Sequence, residues 1–143
     1  MNITLTPIGT VRTQETTLPR HWSLSDVQGT LEVDPEYTEG LKDIQTGQRI
    51  VVLFHFHKSP QFTEKLLVQT PPHKDRAFGV FSICSPRRPN PIGLSVVEVL
   101  GVEGNVVHVK GLDMLDGTPI VDIKPHIEVK EECPSWDGDR GSG

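Results

Sequence analysis

The segment from Ser85 to Ser95 combines three prolines with two arginines and an asparagine. Each proline fixes its own backbone φ angle and pushes the residue before it towards extended geometry. The segment is therefore predicted to be a stiff loop that presents Arg87, Arg88 and Asn90. Guanidinium and amide groups on an ordered loop bind phosphate or carboxylate with little loss of entropy, so we interpret the three as substrate-binding residues. The alternative is a structural turn with solvated arginines.

A second group of candidate residues is Leu112–Pro119, which is predicted to be a loop with two carboxylates, Asp113 and Asp116. Carboxylates accept hydrogen bonds from amines and hydroxyls and can take up a proton, so both are candidate catalytic residues. Because Asp116 precedes a glycine, its alternative role is to form a tight turn. Asp122 and Lys124 stand two apart on a predicted strand and should form a surface charge pair.

Imidazole and indole groups occur at two further places. In the irregular stretch Leu18–Trp22, a cation, an imidazole and an indole follow one another, as in loops that cover ligands. The alternative is that Trp22 anchors this loop to the body of the protein. His55 and His57 share one face of a predicted strand, but no nearby Cys, Asp or Glu completes a metal site, so we predict none. Cys84 is expected to be an inert packed thiol.

The elements that must position these residues are predominantly strands. Runs of β-branched and aromatic residues separated by turn residues predict eight of them, and Pro35–Leu41 and Ser59–Lys65 each predict a short helical turn. The predicted strands are Ile3–Val11, Gln28–Val33, Gln48–His57, Leu66–Gln69, Phe78–Cys84, Leu94–Val102, Val106–Lys110 and Ile120–Lys124. Short strands at even spacing favour a mainly β fold, a small β-barrel with short helical turns and long loops.

Length and composition limit the class of protein. The chain has 143 residues and a net charge of −5, which suits one domain over residues 1–130, followed by a flexible acidic tail over 131–143. We expect no membrane span, no signal peptide and two reduced cysteines, and hence a cytoplasmic protein. The acidic balance argues against a protein that coats nucleic acid, but it leaves room for an enzyme with a local basic patch.

Four sequence blocks resemble the TsaA-like family of S-adenosylmethionine-dependent tRNA methyltransferases. The resemblance extends over roughly Ile3–Ile127, and the two longer blocks are specific. The blocks are Pro7–Arg12, Gly79–Phe81, Arg88–Ser95 and Leu112–Pro125.

The resemblance implies a small β-barrel that forms a homodimer, with S-adenosylmethionine bound near the subunit interface. It implies methyl transfer to N6 of threonylcarbamoyladenosine beside the tRNA anticodon. The cofactor contacts that it implies are Pro19, Arg20, His21, His57, Lys58, Cys84, Leu94, Lys110, Gly111, Leu112 and Asp113.

The chain departs from the family pattern at two of these positions. Many members carry Arg where this chain has Cys84 and Gln where it has Lys58, and Arg87 is a candidate replacement for the missing guanidinium. Bacterial members often have an additional C-terminal domain, in place of which this chain has a short acidic tail. The alternative function is a non-enzymatic regulatory module that binds S-adenosylmethionine or a nucleotide.

Overall fold

Strands account for most of the regular structure in a computed structural model, which describes residues 1–129. The predicted tail over 131–143 lies outside the described residues. The strands are β1 (Gly9–Arg12), β2 (Gln28–Val33), β3 (Arg49–His55), β4 (Val68–Gln69), β5 (Phe78–Gly79), β6 (Ile92–Glu103), β7 (Val106–Lys110) and β8 (Pro119–Pro125).

Six of these strands close a barrel in the order β1-β2-β7-β6-β3-β8, and every neighbouring pair is antiparallel. The ring is completed where Gly9 of β1 pairs with Ile120 of β8. Closure removes the free edges that an open sheet would expose. The predicted mainly β fold, a small barrel, is confirmed.

The barrel forms because its strands alternate inward and outward side chains. In β3, the inward Ile50, Val52 and Phe54 are buried, while the flanking Arg49 and His55 are exposed. β-branched side chains fit this half-buried pleated surface, and their alternation commits each strand to one register. The interior is filled mainly by valines from all the barrel strands except β8, together with Leu31, Leu112, Met114 and Ile120.

Helical structure within residues 1–129 is limited to four short 3₁₀ turns: Trp22–Leu24, Pro35–Leu41, Glu64–Leu67 and Val80–Ser82. In that part of the chain, no helix has the length and apolar character needed to cross a bilayer.

Residues 56–91, which we call the excursion, leave the barrel after β3 and return at β6. Because β3 and β6 are paired neighbours, both ends of the excursion lie at the same end of the barrel. The excursion contains the separate two-stranded sheet β4–β5, in which Val68 pairs with Gly79 and Gln69 with Phe78. It therefore forms a small unit placed against one end of the barrel.

The structure corrects three predicted elements. The strand predicted at Ile3–Val11 is confined to Gly9–Arg12, because pairing with β2 begins only at Gly9. The strand predicted at Phe78–Cys84 ends at Gly79, and the chain then forms the turn Val80–Ser82, which buries Val80. The helical turn predicted at Ser59–Lys65 lies later, at Glu64–Leu67.

Gly29 provides a test of close packing in the barrel wall. A Cβ at this position would collide with the carbonyl oxygen of Arg12 and come within 2.6 Å of Leu112 Cδ1. We expect Gly29→Ala to lower the free energy of unfolding by about 1–3 kcal/mol, measured by urea denaturation. Gly101→Ala is the matched control, since a Cβ there meets nothing within 4 Å. Equal stability of the two variants would contradict the close packing.

Candidate functional site

The first part of the candidate site lies where the ladder between β6 and β7 ends. β7 pairs with β6 only between Glu98 and Glu103, so the earlier half of β6 is left without β7 as a neighbour. Gly111, with a φ of 106° that favours glycine, turns the chain away after β7. Asp113 then accepts a hydrogen bond from the hydroxyl of Ser95.

Asp113 is a partly buried carboxyl group in a polar setting. Burial raises its pKa because it removes water from the charged form, whereas the Ser95 hydroxyl, the nearby His21 and backbone amides, including that of Trp22, oppose this rise. The net direction is upward. A carboxylate with a raised pKa is a better proton acceptor near neutral pH than an ordinary one.

The loop that contains His21 is attached to the same segment. The amides of Gly111 and Leu112 both donate to the carbonyl oxygen of Val27, at 2.8 and 3.1 Å. The Ser25 hydroxyl donates to the carbonyl oxygen of Leu112. These bonds place the predicted cofactor contacts of the two segments side by side, and they bring His21 close to Asp113.

Trp22 anchors this loop, as the alternative interpretation of the sequence proposed. Its side chain is half-buried, and the Arg49 guanidinium of β3 lies 5.7 Å from the centre of the indole ring. The centre of the His21 ring is 5.0 Å from that of the indole. His21 Nδ1 accepts the Ser23 amide N–H at 3.2 Å, which leaves Nε2 as the second polar atom of the ring.

The second part of the site is the proline-rich loop, which is tied to the start of the excursion. The Phe56 amide donates to the carbonyl oxygen of Pro91 at 2.8 Å, and the Ser59 hydroxyl donates to that of Pro86 at 3.1 Å. His57 and Lys58 lie between these two anchors. β6 continues directly from this loop to Leu94 and Ser95, and so it connects the two parts of the site.

Arg88 has a structural role in addition to the substrate contact predicted for it, which stays a prediction. Its Nη1 donates to the carbonyl oxygens of Ile83 and Ser85, both at 3.0 Å. These bonds fold the loop back on itself, so this part of Arg88 holds the loop in shape. Arg87 and Asn90 are exposed and are the polar groups that the loop presents to solvent.

Cys84 is exposed in the structure, so the expectation of a packed thiol is wrong. The chain no longer continues as a strand after Gly79, and the alternation that would have buried a residue here is lost.

Asp116 lies apart from Asp113. Its Oδ1 accepts the Thr13 amide N–H at 3.0 Å, and its Oδ2 is 3.9 Å from Arg12 Nη1, while Nε of the same guanidinium is paired with Glu32. These contacts hold the loop that begins after β1. The two carboxylates therefore do not converge, and Asp116 has a structural explanation of its own.

Of the two residue pairs predicted to share a strand face, Asp122 and Lys124 do so, but His55 and His57 do not. The predicted surface charge pair is present, with Lys124 Nζ 2.9 Å from Asp122 Oδ2. His57 does not share a strand face with His55, since β3 ends at His55. Among the described residues, no group of three or more His, Cys, Asp or Glu side chains is arranged to hold a metal ion.

Two open cavities lie elsewhere on the barrel. One, of about 1040 Å³, is lined by residues that include Tyr37, Lys124 and His126. The other, of about 1220 Å³, includes Arg12 and Asp116 in its wall. Apart from Asp116, neither is lined by a residue of the predicted site.

The barrel and most of the described chain match a protein-family model. The model is that of the tRNA-methyltransferase O N-terminal domain, and it matches residues 8–131. This chain belongs to that family. Membership accounts for the block resemblance, because all four blocks fall wholly or almost wholly within the matched range.

Individual relatives agree with the family assignment. A probable S-adenosyl-L-methionine-binding protein of Pyrococcus abyssi is 45% identical over 102 residues, covering 71% of this chain and 54% of the relative. A mouse tRNA (adenine(37)-N6)-methyltransferase is 43% identical over 94 residues, covering 66% of this chain and 21% of the mouse protein. The chain thus spans about half of the first relative and a fifth of the second.

The fold is also that of a solved structure of the family. The crystal structure of TrmO from Pseudomonas aeruginosa superimposes with a TM-score of 0.72 at 29% identity, covering 99% of this chain and 64% of that one. This chain therefore corresponds to about two thirds of that longer protein.

Ser95 is the residue of the site that the sequence did not reveal. It is completely buried, and Thr118 is the other buried polar residue among residues 1–129. The available signal was a serine at an inward position of β6, between Gly93 and Val97, where an apolar residue is usual. A buried hydroxyl needs a partner, and Asp113 supplies it.

Ser95 sets the pKa of Asp113 in a testable way. Removing a hydrogen bond to the charged form raises the pKa of a carboxyl group, so Ser95→Ala should raise the pKa of Asp113 further. Carbon-13 NMR of the carboxyl group during a pH titration measures this directly.

The same substitution changes how stability depends on pH. A raised pKa in the folded state means that the folded protein binds this proton more tightly than the unfolded chain does. The stability contributed by the protonated Asp113 carboxyl group is therefore lost as pH rises through that pKa. From acid to neutral pH, the unfolding free energy of Ser95→Ala should therefore fall more than that of the wild type. Thr118→Val is the control, because its hydroxyl bonds only the carbonyl oxygen of Leu115. An unchanged pKa of Asp113 would refute its dependence on Ser95.

Proposed function

We propose that this protein is an S-adenosylmethionine-dependent methyltransferase that acts on N6 of an adenosine in tRNA. The observation that carries the proposal is the convergence of His21, the segment Lys110–Asp113 and the buried Ser95 hydroxyl on one carboxylate. The names of the relatives supply the cofactor and the acceptor: a probable S-adenosyl-L-methionine-binding protein and a tRNA (adenine(37)-N6)-methyltransferase.

The residues at this place suit the proposed cofactor. Asp113 offers a carboxylate to its amino or hydroxyl groups, and Leu94, which precedes Ser95 in β6 and is 53% exposed, offers apolar surface. Pro19, Arg20 and His21 would close one side, and His57, Lys58 and Cys84 would approach from the excursion. When bound, the cofactor supplies a methyl group on a positively charged sulfur, which is already an activated leaving group.

The chain's own contribution to catalysis would be orientation and proton removal. Holding donor and acceptor in line supplies much of the rate enhancement in such a transfer. The acceptor nitrogen must also lose a proton, and Asp113 is the candidate base because burial raises its pKa while Ser95 and His21 orient it and limit that rise. Asp116 is the weaker candidate, since its oxygens are engaged by Thr13 and Arg12.

The acceptor we favour is the threonylcarbamoyl-modified adenosine beside the anticodon. Its threonyl carboxylate needs a cationic partner, and the exposed Arg87 on the stiff loop is available to form charge-assisted hydrogen bonds with it. Asn90, also exposed, would add amide contacts, and Arg88 would hold the loop in position.

We further propose that the protein works as a homodimer in the cytoplasm. On the outer face of β3 and β6, Leu53 is paired with Leu94, and the neighbouring Ile92 is 38% exposed. Contiguous apolar surface of this kind is typical of subunit contacts. A second copy placed here would lie next to Leu94, one of the predicted cofactor contacts.

The proposed activity is tested by methyl transfer from labelled S-adenosylmethionine to tRNA carrying threonylcarbamoyladenosine. We expect Asp113→Asn to weaken cofactor binding and, at saturating cofactor, to lose about 10²–10⁴-fold in turnover, as for removal of a general base. Arg88→Ala should keep the fold and lose activity, because the loop loses its two carbonyl anchors. Unmodified tRNA is the substrate control, and wild-type turnover in Asp113→Asn would exclude this residue as the base.

The second candidate function, a regulatory module that binds S-adenosylmethionine without transferring the methyl group, rests on the Pyrococcus relative, whose name describes binding only. Calorimetric titration with the cofactor would be positive for both functions. Methyl transfer to tRNA separates them.

The proposed dimer gives a separate expectation. Leu94→Glu and Leu53→Glu each place a charge on the outer face of the barrel, so each should convert the dimer to a monomer in light scattering at micromolar concentration. Leu24→Glu is the control, since Leu24 is also exposed, at 65%, but lies on a loop. A monomeric wild type would contradict the proposed interface.

A further inference from the structure

The excursion (residues 56–91) carries a net charge opposite to that of the rest of the chain. It contains six of the 14 Lys and Arg residues but only two of the 19 Asp and Glu residues, which leaves eight basic and 17 acidic residues elsewhere. Its basic residues are Lys58, Lys65, Lys74, Arg76, Arg87 and Arg88. A basic patch on an acidic protein attracts a polyanion to that patch alone.

These cations are available to a ligand. All of them except the half-buried Arg88 are exposed. Within residues 1–129, every ion pair joins residues outside the excursion, such as Arg12 with Glu32 or Arg49 with Glu128. No carboxylate in the described part of the chain therefore forms an ion pair with a cation of the excursion, although the excursion contains Glu64 and Asp75.

An exposed aromatic ring lies on the same excursion as these charges. Phe81 is 79% exposed, although the neighbouring Val80 is only 1% exposed and anchors their 3₁₀ turn. A phenylalanine held outward on a fixed turn offers a flat apolar face to a ligand. The excursion contains a second ring close to a cation, since the guanidinium of Arg76 lies 3.9 Å from the ring centre of Phe78.

The ring and the arginine loop are parts of one rigid unit. Gln69 pairs with Phe78 in the β4–β5 sheet, and its Nε2 donates to the carbonyl oxygens of Leu66 and Arg87 at 2.6 and 2.7 Å. Arg88 ties the same loop to Ile83, two residues after Phe81. The position of the loop that carries Arg87 and Arg88 relative to the Phe81 turn is thus set before any ligand binds.

We propose that the excursion is the surface on which substrate RNA docks, with an unpaired base stacked on Phe81 and phosphates on the surrounding cations. Interleaved aromatic and basic groups are typical of surfaces that bind single-stranded nucleic acid. The proposal rests on the proposed function, since it names where that function's RNA is held. Phe81 lies three residues before Cys84, so the stacked base would be next to the predicted cofactor contacts.

The test is binding of a fluorescent, unmodified anticodon stem-loop RNA, followed by anisotropy. Phe81→Ala should weaken binding about tenfold, as for loss of one stacked base. Tyr37→Ala is the matched control, because Tyr37 is an exposed aromatic residue on a 3₁₀ turn outside the excursion. A fully paired RNA duplex of the same length should bind both variants equally.

Charge is tested separately through salt dependence. Lys74→Gln should lower the slope of log affinity against log salt by about 0.7–0.9, as for loss of one phosphate contact. Lys42→Gln, an exposed lysine outside the excursion, should leave the slope unchanged.

Equal RNA affinity for Phe81→Ala and Tyr37→Ala would overturn the proposal. So would a Phe81→Ala variant that keeps its RNA affinity but loses cofactor affinity or dissociates into monomers, because Phe81 would then belong to the cofactor site or to a subunit contact. RNA binding that depends on Phe81 without any methyl transfer would support the docking surface and refute the proposed function. Methyl transfer to tRNA together with an RNA affinity that does not depend on Phe81 would support the proposed function and refute the docking surface.

Discussion

The pairing of β3 with β6 is the interaction on which the rest of the structure depends. These strands form a continuous antiparallel ladder from Arg49–Glu98 to His55–Ile92, although 36 residues separate their ends in the chain. The ladder bonds fix where the excursion leaves the barrel and where it returns. His57 and the proline-rich loop are therefore brought to one end of the barrel, and Ser95 is directed into its interior.

Two buried polar side chains among residues 1–129, both hydroxyl groups, serve different ends. Thr118 bonds a carbonyl oxygen of its own loop and stabilises that loop, whereas Ser95 bonds a carboxylate contributed by a distant segment. Keeping a partly desolvated carboxylate beside an apolar core costs stability, and perturbed groups of this kind concentrate at functional sites. The bonds to Asp113 thus join the barrel wall, the segment after β7 and the His21 loop in one small network.

The stiffness of the proline-rich loop has two sources, of which the sequence indicated one. Its prolines restrict the backbone, as predicted, but Arg88 also bonds two carbonyl oxygens of the same loop. A guanidinium has five donors and can serve backbone and ligand at once. Its residue type could not show how those donors are divided, since the carbonyl positions depend on the turn after β5.

The sequence by itself determined the mainly β fold, most strand positions and the two loops that carry polar groups, because alternation and turn residues act locally. It also identified Asp113 as a candidate. Only the tertiary structure showed that Asp113 and Asp116 have different partners and that Ser95 belongs to the site. Those partners depend on which distant segments meet when the barrel closes. The short extent of β1 was decided in the same way, by its pairing with β2 and β8, whereas β5 is limited by its nearby partner β4, which is itself only two residues long.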